Sequence, residues 1–462
     1  MKRKKLVSLC LAASMTAGML AGCGAGETKE TAGTKGESTA AATESGEKTE
    51  LTFFYPIGVG GALATLIENL STEFTKENPD IVINPVFAGN STETMTKTVS
   101  ALQGGTPPDF AILPNPELYS MLDMDAVIPL DDLIAKDGGQ EYIDDFIPAF
   151  MENSYYEGKV YSIPFQRSTI IMYYNKEHFK EAGLDPEQPP ATWDELREYA
   201  KKLTVTDASG NVSRWGVMIP TDDPFMFYGI CRQNSDDPEY QIMSEDGTQV
   251  FFDSEENAQA LQYLIDLSKK DKVMPEGSIK WADGPSNFMA GAASITFTSS
   301  GSLTNILDNT DFEVGTAFLP AGKQYGSATG GANFYIFKDI APEKQEAAWK
   351  FIRWITEPER AAQWSIDTGY VATRKSCFDT DLLKEYLEKV PQAETAREQL
   401  DYACSELRVH NNQRVLQALK QGIDAAITNA STPEEALKQA QQEADSLLQA
   451  YKIGRASCRE RV

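Results

Sequence analysis

Histidine is scarce in this chain of 462 residues: His178 and His410 are the only two. Neither stands at a spacing that would hold a metal with a neighbour, and a serine–histidine–aspartate triad would have to recruit one of them. The chain has no G-x-S-x-G, no phosphate-binding loop ending in GK[ST] and no H-E-x-x-H. Its six cysteines include no C-x-x-C pair, which removes the usual zinc and redox motifs. Lysine and arginine (42) are outnumbered by aspartate and glutamate (68), for a formal charge of −26. Such a surface repels nucleic acid and anionic headgroups, so neither is expected as a partner. Carboxylate pairs for glycoside hydrolysis arise by chance at this acid content, and no spacing signals one. No cofactor motif is present. Long apolar runs are also missing: Leu6–Met19 is shorter than the roughly 20 residues that span a bilayer.

That short run has a context. Lys2, Arg3, Lys4 and Lys5 precede it, and Leu20-Ala21-Gly22-Cys23 follows. The segment resembles a bacterial lipoprotein signal, which implies cleavage after Gly22 and a lipid on the Cys23 sulfur. An ordinary signal peptide is the alternative. Gly24–Glu50 then carries Gly, Ala, Ser, Thr, Glu and Lys, with no side chain large enough to build a core. As a flexible tether of ~27 residues this segment spans roughly 30 Å. The expectation is a signal peptide over 1–22, a lipidated tether over 23–50, and a folded body held outside the cytoplasm on a membrane. At the other end, 453–462 reads IGRASCRERV, a basic tail on an acidic protein. It resembles translated sequencing adapter and is expected to be non-native; a genuine basic tail is the alternative. Cys231, Cys377 and Cys404 remain in the body, either as buried thiols or with Cys377 bridged to Cys404.

The body has about 400 residues, more than one core usually serves, so two lobes are expected. It opens as a strand at Leu51–Tyr55, a helix with Leu63, Leu66, Ile67, Leu70 and Phe74 on one face, and a strand at Ile81–Phe87. A helix with Met95, Val99 and Leu102 and a strand at Asp109–Leu113 follow. This alternation predicts α/β architecture with a largely parallel sheet. Tyr155–Ile163 reads as a hairpin, and Ile170–Tyr174, Ala293–Thr298, Glu313–Leu319 and Asn333–Phe337 as strands. Thr192 and Glu195 form a capping box before the helix to Leu203, with Ala191 and Leu196 placed as a hydrophobic staple.

One pattern recurs: a strand end, then Gly or Ser, then a helix start. Gly58-Val59-Gly60-Gly61, Gly89-Asn90-Ser91, Ser299-Ser300-Gly301-Ser302 and Gly330-Gly331-Ala332 fit it. Each is a plain turn or a set of free N–H groups offered to a ligand oxygen. Their shared place at strand ends predicts one polar cleft between lobes. Tyr370, in a loop after a helix, is a candidate stacking aromatic. Trp193, directly after an N-cap, is either a ligand surface or a packing anchor.

Tyr173-Tyr174-Asn175-Lys176, Ala182-Gly183-Leu184-Asp185-Pro186, Thr192-Trp193, Ser299-Ser300-Gly301-Ser302-Leu303, Gly330-Gly331-Ala332 and Thr368-Gly369-Tyr370 together resemble the extracellular solute-binding proteins of carbohydrate ABC importers, especially their glycerol-phosphate-binding branch. The likeness runs from Leu51 to Lys452. It implies a two-lobed, type II periplasmic-binding-protein-like α/β fold with hinge strands, lobe 1 being 51–164 plus 322–372 and lobe 2 being 165–321 plus 373–452. It implies a monomeric, non-enzymatic receptor that captures glycerol-3-phosphate, a glycerophosphodiester or a sugar by hinge closure and delivers it to an ABC permease. A secreted glycoside hydrolase and a surface adhesin are the alternatives. Carried over residue by residue, the ligand contacts fall on Ser168, Ser299, Gly331, Tyr370 and Arg414, with Ser91, Asn115 and Trp193 as further candidates and no metal. Ser91 and Asn115 depart from the branch's tyrosine and glutamate, and Glu117 stands two positions beyond Asn115. Arg167 replaces a small polar residue; it favours an anionic ligand if it faces the cleft, and a solvated arginine is the alternative.

Overall fold

The computed structural model describes residues 48–60 and 62–459, with 453–459 given by backbone alone. The leader, Cys23, the tether up to 47, Gly61 and the side chains of the tail lie outside the described residues.

The strands are β1 (Thr49–Tyr55), β2 (Ile81–Phe87), β3 (Phe110–Pro114), β4 (Tyr155–Tyr156), β5 (Lys159–Val160), β6 (Ile163–Asn175), β7 (Val205–Thr206), β8 (Val212–Met218), β9 (Ala293–Ser299), β10 (Val314–Ala317), β11 (Ser327–Ile336) and β12 (Ala403–Cys404). Ten of them join one mixed sheet in the order β2-β1-β3-β11-β6-β9-β8-β7, with β10 beside β6 and β12 beside β11. The opening alternation is as read: β1 pairs in parallel with β2 and β3, and helices Leu63–Glu77 and Ser91–Gln103 connect them. The largely parallel sheet is not. β11 runs antiparallel to β3 and β6, and β6 runs antiparallel to β9 and β10. The expected Tyr155 hairpin is β4–β5, turned through Glu157 and Gly158, both with positive φ.

Apolar burial concentrates in two large clusters. One gathers Leu51, Phe53, Phe110, Ile163, Phe165, Phe334 and Phe351; the other gathers Ile170, Met172, Val217, Phe227, Leu261, Ile295 and Leu419. β6 contributes to both, its first residues to one and its later residues to the other. Between them lies Gln166-Arg167-Ser168-Thr169, where the strand packs in neither cluster. β11 does the same, with Ala328 in one cluster and Ala332, Phe334 and Ile336 in the other. Two long strands thus run from core to core through a polar middle.

The capping box before helix Trp193–Leu203 forms as expected: Thr192 accepts from the Glu195 N–H, and the Glu195 carboxylate accepts from the Thr192 N–H. The staple does not, because Ala191 is exposed; its N–H instead donates to Glu195 at 2.8 Å. Cys231, Cys377 and Cys404 are all buried free thiols. No described helix is long and apolar enough to cross a membrane.

Candidate functional site

The polar middle of β6 is the centre of the site. Register carries a band of residues across the sheet there. Pro114 pairs with Ala332, so Asn115 follows β3 out beside Gly331. Gly331 stands opposite Arg167, Gly330 opposite Ser168, and Ile170 opposite Ser299. Asn115, Gly331, Ser168 and Ser299 are therefore brought together by strand pairing. Gly331 has φ of 110°, and a Cβ there would run into the Gln166 carbonyl, so β11 and β6 can approach this closely only with glycine.

Tyr370 joins the band through its neighbour: the Val371 N–H donates to the Arg167 carbonyl at 2.8 Å. Its ring stacks parallel on Trp364, and Gly301 lies against its edge. Burial pushes its phenol well above the ordinary range, so it stays protonated. After β9, Ser299 Oγ accepts from the Gly301 N–H at 3.1 Å, and Ser300 Oγ accepts from the Thr169 N–H. The turn is thereby tied to β6 beside Ser168.

Arg167 was the residue whose direction the sequence left open, and the structure buries it completely. Its Nη1 donates to Asn333 Oδ1 at 3.0 Å, and its guanidinium lies 5.0 Å above the Phe150 ring. Nε and Nη2 find no hydrogen-bond partner among the described residues. Burial lowers its pKa, while the charges of Glu406 and Glu152 act in the opposite sense; a guanidinium remains a cation throughout. Around it the same shortage of partners recurs. Both amide atoms of Asn115 and of Asn153 and the Gln166 Nε2 are buried with no hydrogen-bond partner among the described residues. Buried polar atoms normally have partners, and each one missing costs about 1–3 kcal/mol. Their gathering where β6 and β11 cross makes this the candidate seat for a polar ligand.

Glu117 also ties this region to helix Asn412–Ile427, since its Oε1 accepts from Gln413 Nε2. Burial raises its pKa, and hydrogen bonds from Ser120, Gln413 and Asn412 counter that rise. A cavity of about 760 Å³ is lined by Tyr119, Glu152, Tyr156, Gln249 and Arg408 among others, and by none of the band residues. Of its lining residues, Glu152 accepts from Ser405 Oγ, and its charge is felt at Arg167. This size suits a small ligand.

Other candidates fall outside the band. Ser91 opens helix Ser91–Gln103, its Oγ 3.7 Å from where a Gly58 Cβ would lie, on the strand-end loops at the edge of the site. Arg414 is exposed and makes no side-chain hydrogen bond or ion pair among the described residues; its neighbour Gln413 makes the contact to Glu117. Trp193 takes its packing alternative: its ring stacks on Tyr263 with centroids 4.1 Å apart, and Nε1 donates to Gln233 at 2.7 Å. Sequence reasoning missed Asn153, Gln166, Asn333, Glu152 and Glu406. A signal existed for Gln166, because four consecutive polar residues interrupt an apolar strand. Glu406 lies in irregular chain and offered none.

Among the described residues no cluster of His, Cys, Asp and Glu is arranged to hold a metal. Comparison with known proteins fits this geometry. The sn-glycerol-3-phosphate-binding periplasmic protein UgpB of Escherichia coli K12 is 28% identical over 408 residues, covering 85% of this chain and 91% of that protein. UgpB from Mycobacterium tuberculosis, solved in complex with glycerophosphocholine, shares the fold with a TM-score of 0.77 at 22% identity, covering 87% of this chain and 99% of that one. Maltose-bound MalE3 of T. maritima superposes with a TM-score of 0.73 at 26% identity, covering 86% of this chain and 100% of that one. The bacterial extracellular solute-binding protein family model matches residues 69–391, and the chain belongs to that family.

Proposed function

We propose that this protein is the substrate-binding lipoprotein of an ABC importer, which captures a glycerol-phosphate ester or a sugar and delivers it to a membrane permease. The observation that carries the reading is the cluster of unsatisfied buried polar groups around Arg167, at the point where β6 and β11 pass between the two apolar cores. In this reading the lobes are 51–164 plus 322–372 and 165–321 plus 373–452, and the polar middles of the two strands are the hinge. Ligand bridging the lobes favours the closed state by its greater affinity for it. Ser168, Ser299, Gly331, Asn115 and Tyr370 line the seat, with Ser91 at its rim and Arg167 supplying the charge. Trp193 and Arg414 play no part in it. Cys23 carries the lipid that holds a monomeric receptor outside the cytoplasm.

Phosphate esters and sugars are both supported by relatives; the buried guanidinium favours the phosphate ester, since arginine pairs with phosphate through two parallel hydrogen bonds. The test is small-angle scattering of the purified protein with and without glycerophosphodiesters, glycerol-3-phosphate and maltotriose. One of these is expected to shrink the radius of gyration and to be recovered chemically unchanged. A ligand returned hydrolysed would point to an enzyme instead.

A further inference from the structure

We propose that Asp123, His410 and Tyr451 form a clasp between the two halves of the receptor, made when they close and broken when they open, which sets how tightly any solute is held. This rests on the receptor reading above and adds to it residues that do not touch the solute.

The clasp straddles two apolar cores. Helix Leu118–Asp123 starts three residues after Asn115, and its Leu118 and Met121 pack with Ala111, Leu113 and Tyr335 of β3 and β11. Val409, Val415 and Leu448 pack instead in the cluster of Val217, Leu261 and Leu419. Tyr119 and Asp123 stand four residues apart, on one face of the helix, and reach from the first group to the second. Asp123 Oδ1 lies 2.7 Å from His410 Nδ1, and Oδ2 accepts from the Asn411 N–H at 3.0 Å and from the Tyr451 hydroxyl at 3.2 Å. An ionised carboxylate only accepts, so an imidazole with its hydrogen on Nδ1 completes the set.

The imidazole is held from two sides. The Tyr451 ring, from helix Pro433–Arg459, lies parallel on it with centroids 4.3 Å apart, and the Tyr119 ring meets it edge-on at 4.7 Å. Burial and the Asp123 charge raise the Tyr451 pKa, which keeps the phenol a donor. The His410 and Asp123 side chains are only 10% and 20% exposed, so salt screens their attraction less than that of a surface pair. Tyr119 adds a second point of contact: its hydroxyl donates to the Glu245 carbonyl at 3.1 Å, and its ring fills the space a Gly247 Cβ would need. The Gly247 carbonyl in turn accepts from the His410 N–H at 3.0 Å, which ties both points to one stretch of backbone.

The contacts are of a kind that can part. The aliphatic side chains on either side turn into their own cores, and what crosses between is hydrogen bonds, one ion pair and ring edges. Water replaces such partners when the surfaces separate, whereas a shared apolar core would resist opening. Because the helix leaves β3 directly beyond the seat, parting the halves at the seat draws Asp123 away from His410.

The test is calorimetric titration of the purified protein with glycerophosphoethanolamine, glycerol-3-phosphate and maltotriose. Asp123→Asn and His410→Gln should each weaken every solute that binds by the same factor, about tenfold, because they lower the closed population without touching the solute. The double variant should bind no more weakly than the poorer single one, since both remove one contact. Asp125→Asn makes the same charge change two residues away, at a residue that pairs with Lys338, and should stay within about twofold of the unaltered protein. Unchanged affinity in D123N and H410Q variants whose melting curves show them folded would overturn the clasp and leave the receptor reading intact. A gain in affinity would overturn it too, by placing these contacts in the open form, as would a loss that differs between solutes. Tyr451→Phe, which removes only a hydroxyl, carries the same test if the other variants do not fold, with an expected loss of about threefold. Silence from all three solutes in the unaltered protein would count against both readings.

Discussion

Arg167 Nη1 donates to Asn333 Oδ1 at 3.0 Å, and the same amide donates through Nδ2 to Ser162 at 3.0 Å and to Ser154 at 3.3 Å. Asn333 is thus the brace that aims the guanidinium, and both residues are fully buried. Asn333→Ala is expected to lower stability by about 1–3 kcal/mol and solute affinity about tenfold. Urea unfolding and calorimetry read the two effects separately. Unchanged affinity in a folded variant would mean that Arg167 is not aimed at the solute.

Gly331 is the second pressure point. With φ of 110° and the Gln166 carbonyl in the path of a Cβ, the obstacle is backbone, so no side chain can swing aside. Gly331→Ala should cost more than about 2 kcal/mol in urea unfolding. A cost below about 0.5 kcal/mol would show that β6 and β11 slide apart easily where they cross.

Trp193 offers the opposite contrast, a large aromatic whose role is packing. Removing its stack on Tyr263 and its hydrogen bond to Gln233 should cost about 2–3 kcal/mol. Solute affinity of Trp193→Ala should stay within about twofold of the unaltered protein. A large loss of affinity at intact stability would return Trp193 to the site.

His178 predicts a pH dependence of stability. Burial first, and the nearby Arg214 charge second, pull its pKa down to about 4, with Nδ1 3.1 Å from Ser294 Oγ. Its folded pKa lies below the unfolded value of about 6.5, so the unfolded chain takes up the proton first. The contribution of His178 is complete above that unfolded value and is lost as pH falls toward about 4. His178→Gln should flatten that part of the profile, as read from urea midpoints between neutral and acid pH. A profile unaltered by the substitution would assign the acid loss to other groups.

These residues also show what a sequence discloses. The first three strands and their helices were legible because each carries one clean apolar face, and the capping box at Thr192 formed at the residues expected. β6 was legible only as Ile170–Tyr174, although it runs from Ile163 to Asn175. Its polar middle hid the strand, and that polar middle is the candidate site. β11 was shortened for the same reason, its glycines looking like a turn. Asn115, Ser168, Ser299 and Gly331 were named through family likeness, and register sets them in one band. Arg414, carried over from the family likeness, is exposed and makes no side-chain hydrogen bond or ion pair among the described residues, while its neighbour Gln413 reaches Glu117. Glu406 could not be read at all, because irregular chain has no periodicity to reveal which way a side chain faces.

The central claim is that the unsatisfied polar groups around Arg167 form a seat for a small solute. Thermal unfolding of the purified protein against glycerophosphodiesters, glycerol-3-phosphate, maltose and maltotriose tests it most directly. At 100 times its dissociation constant a true ligand adds about 2.7 kcal/mol of stability, so the account predicts a clear rise in Tm with one class of these solutes, lost in Arg167→Met. No rise with any of them, or a rise that Arg167→Met leaves untouched, would contradict it.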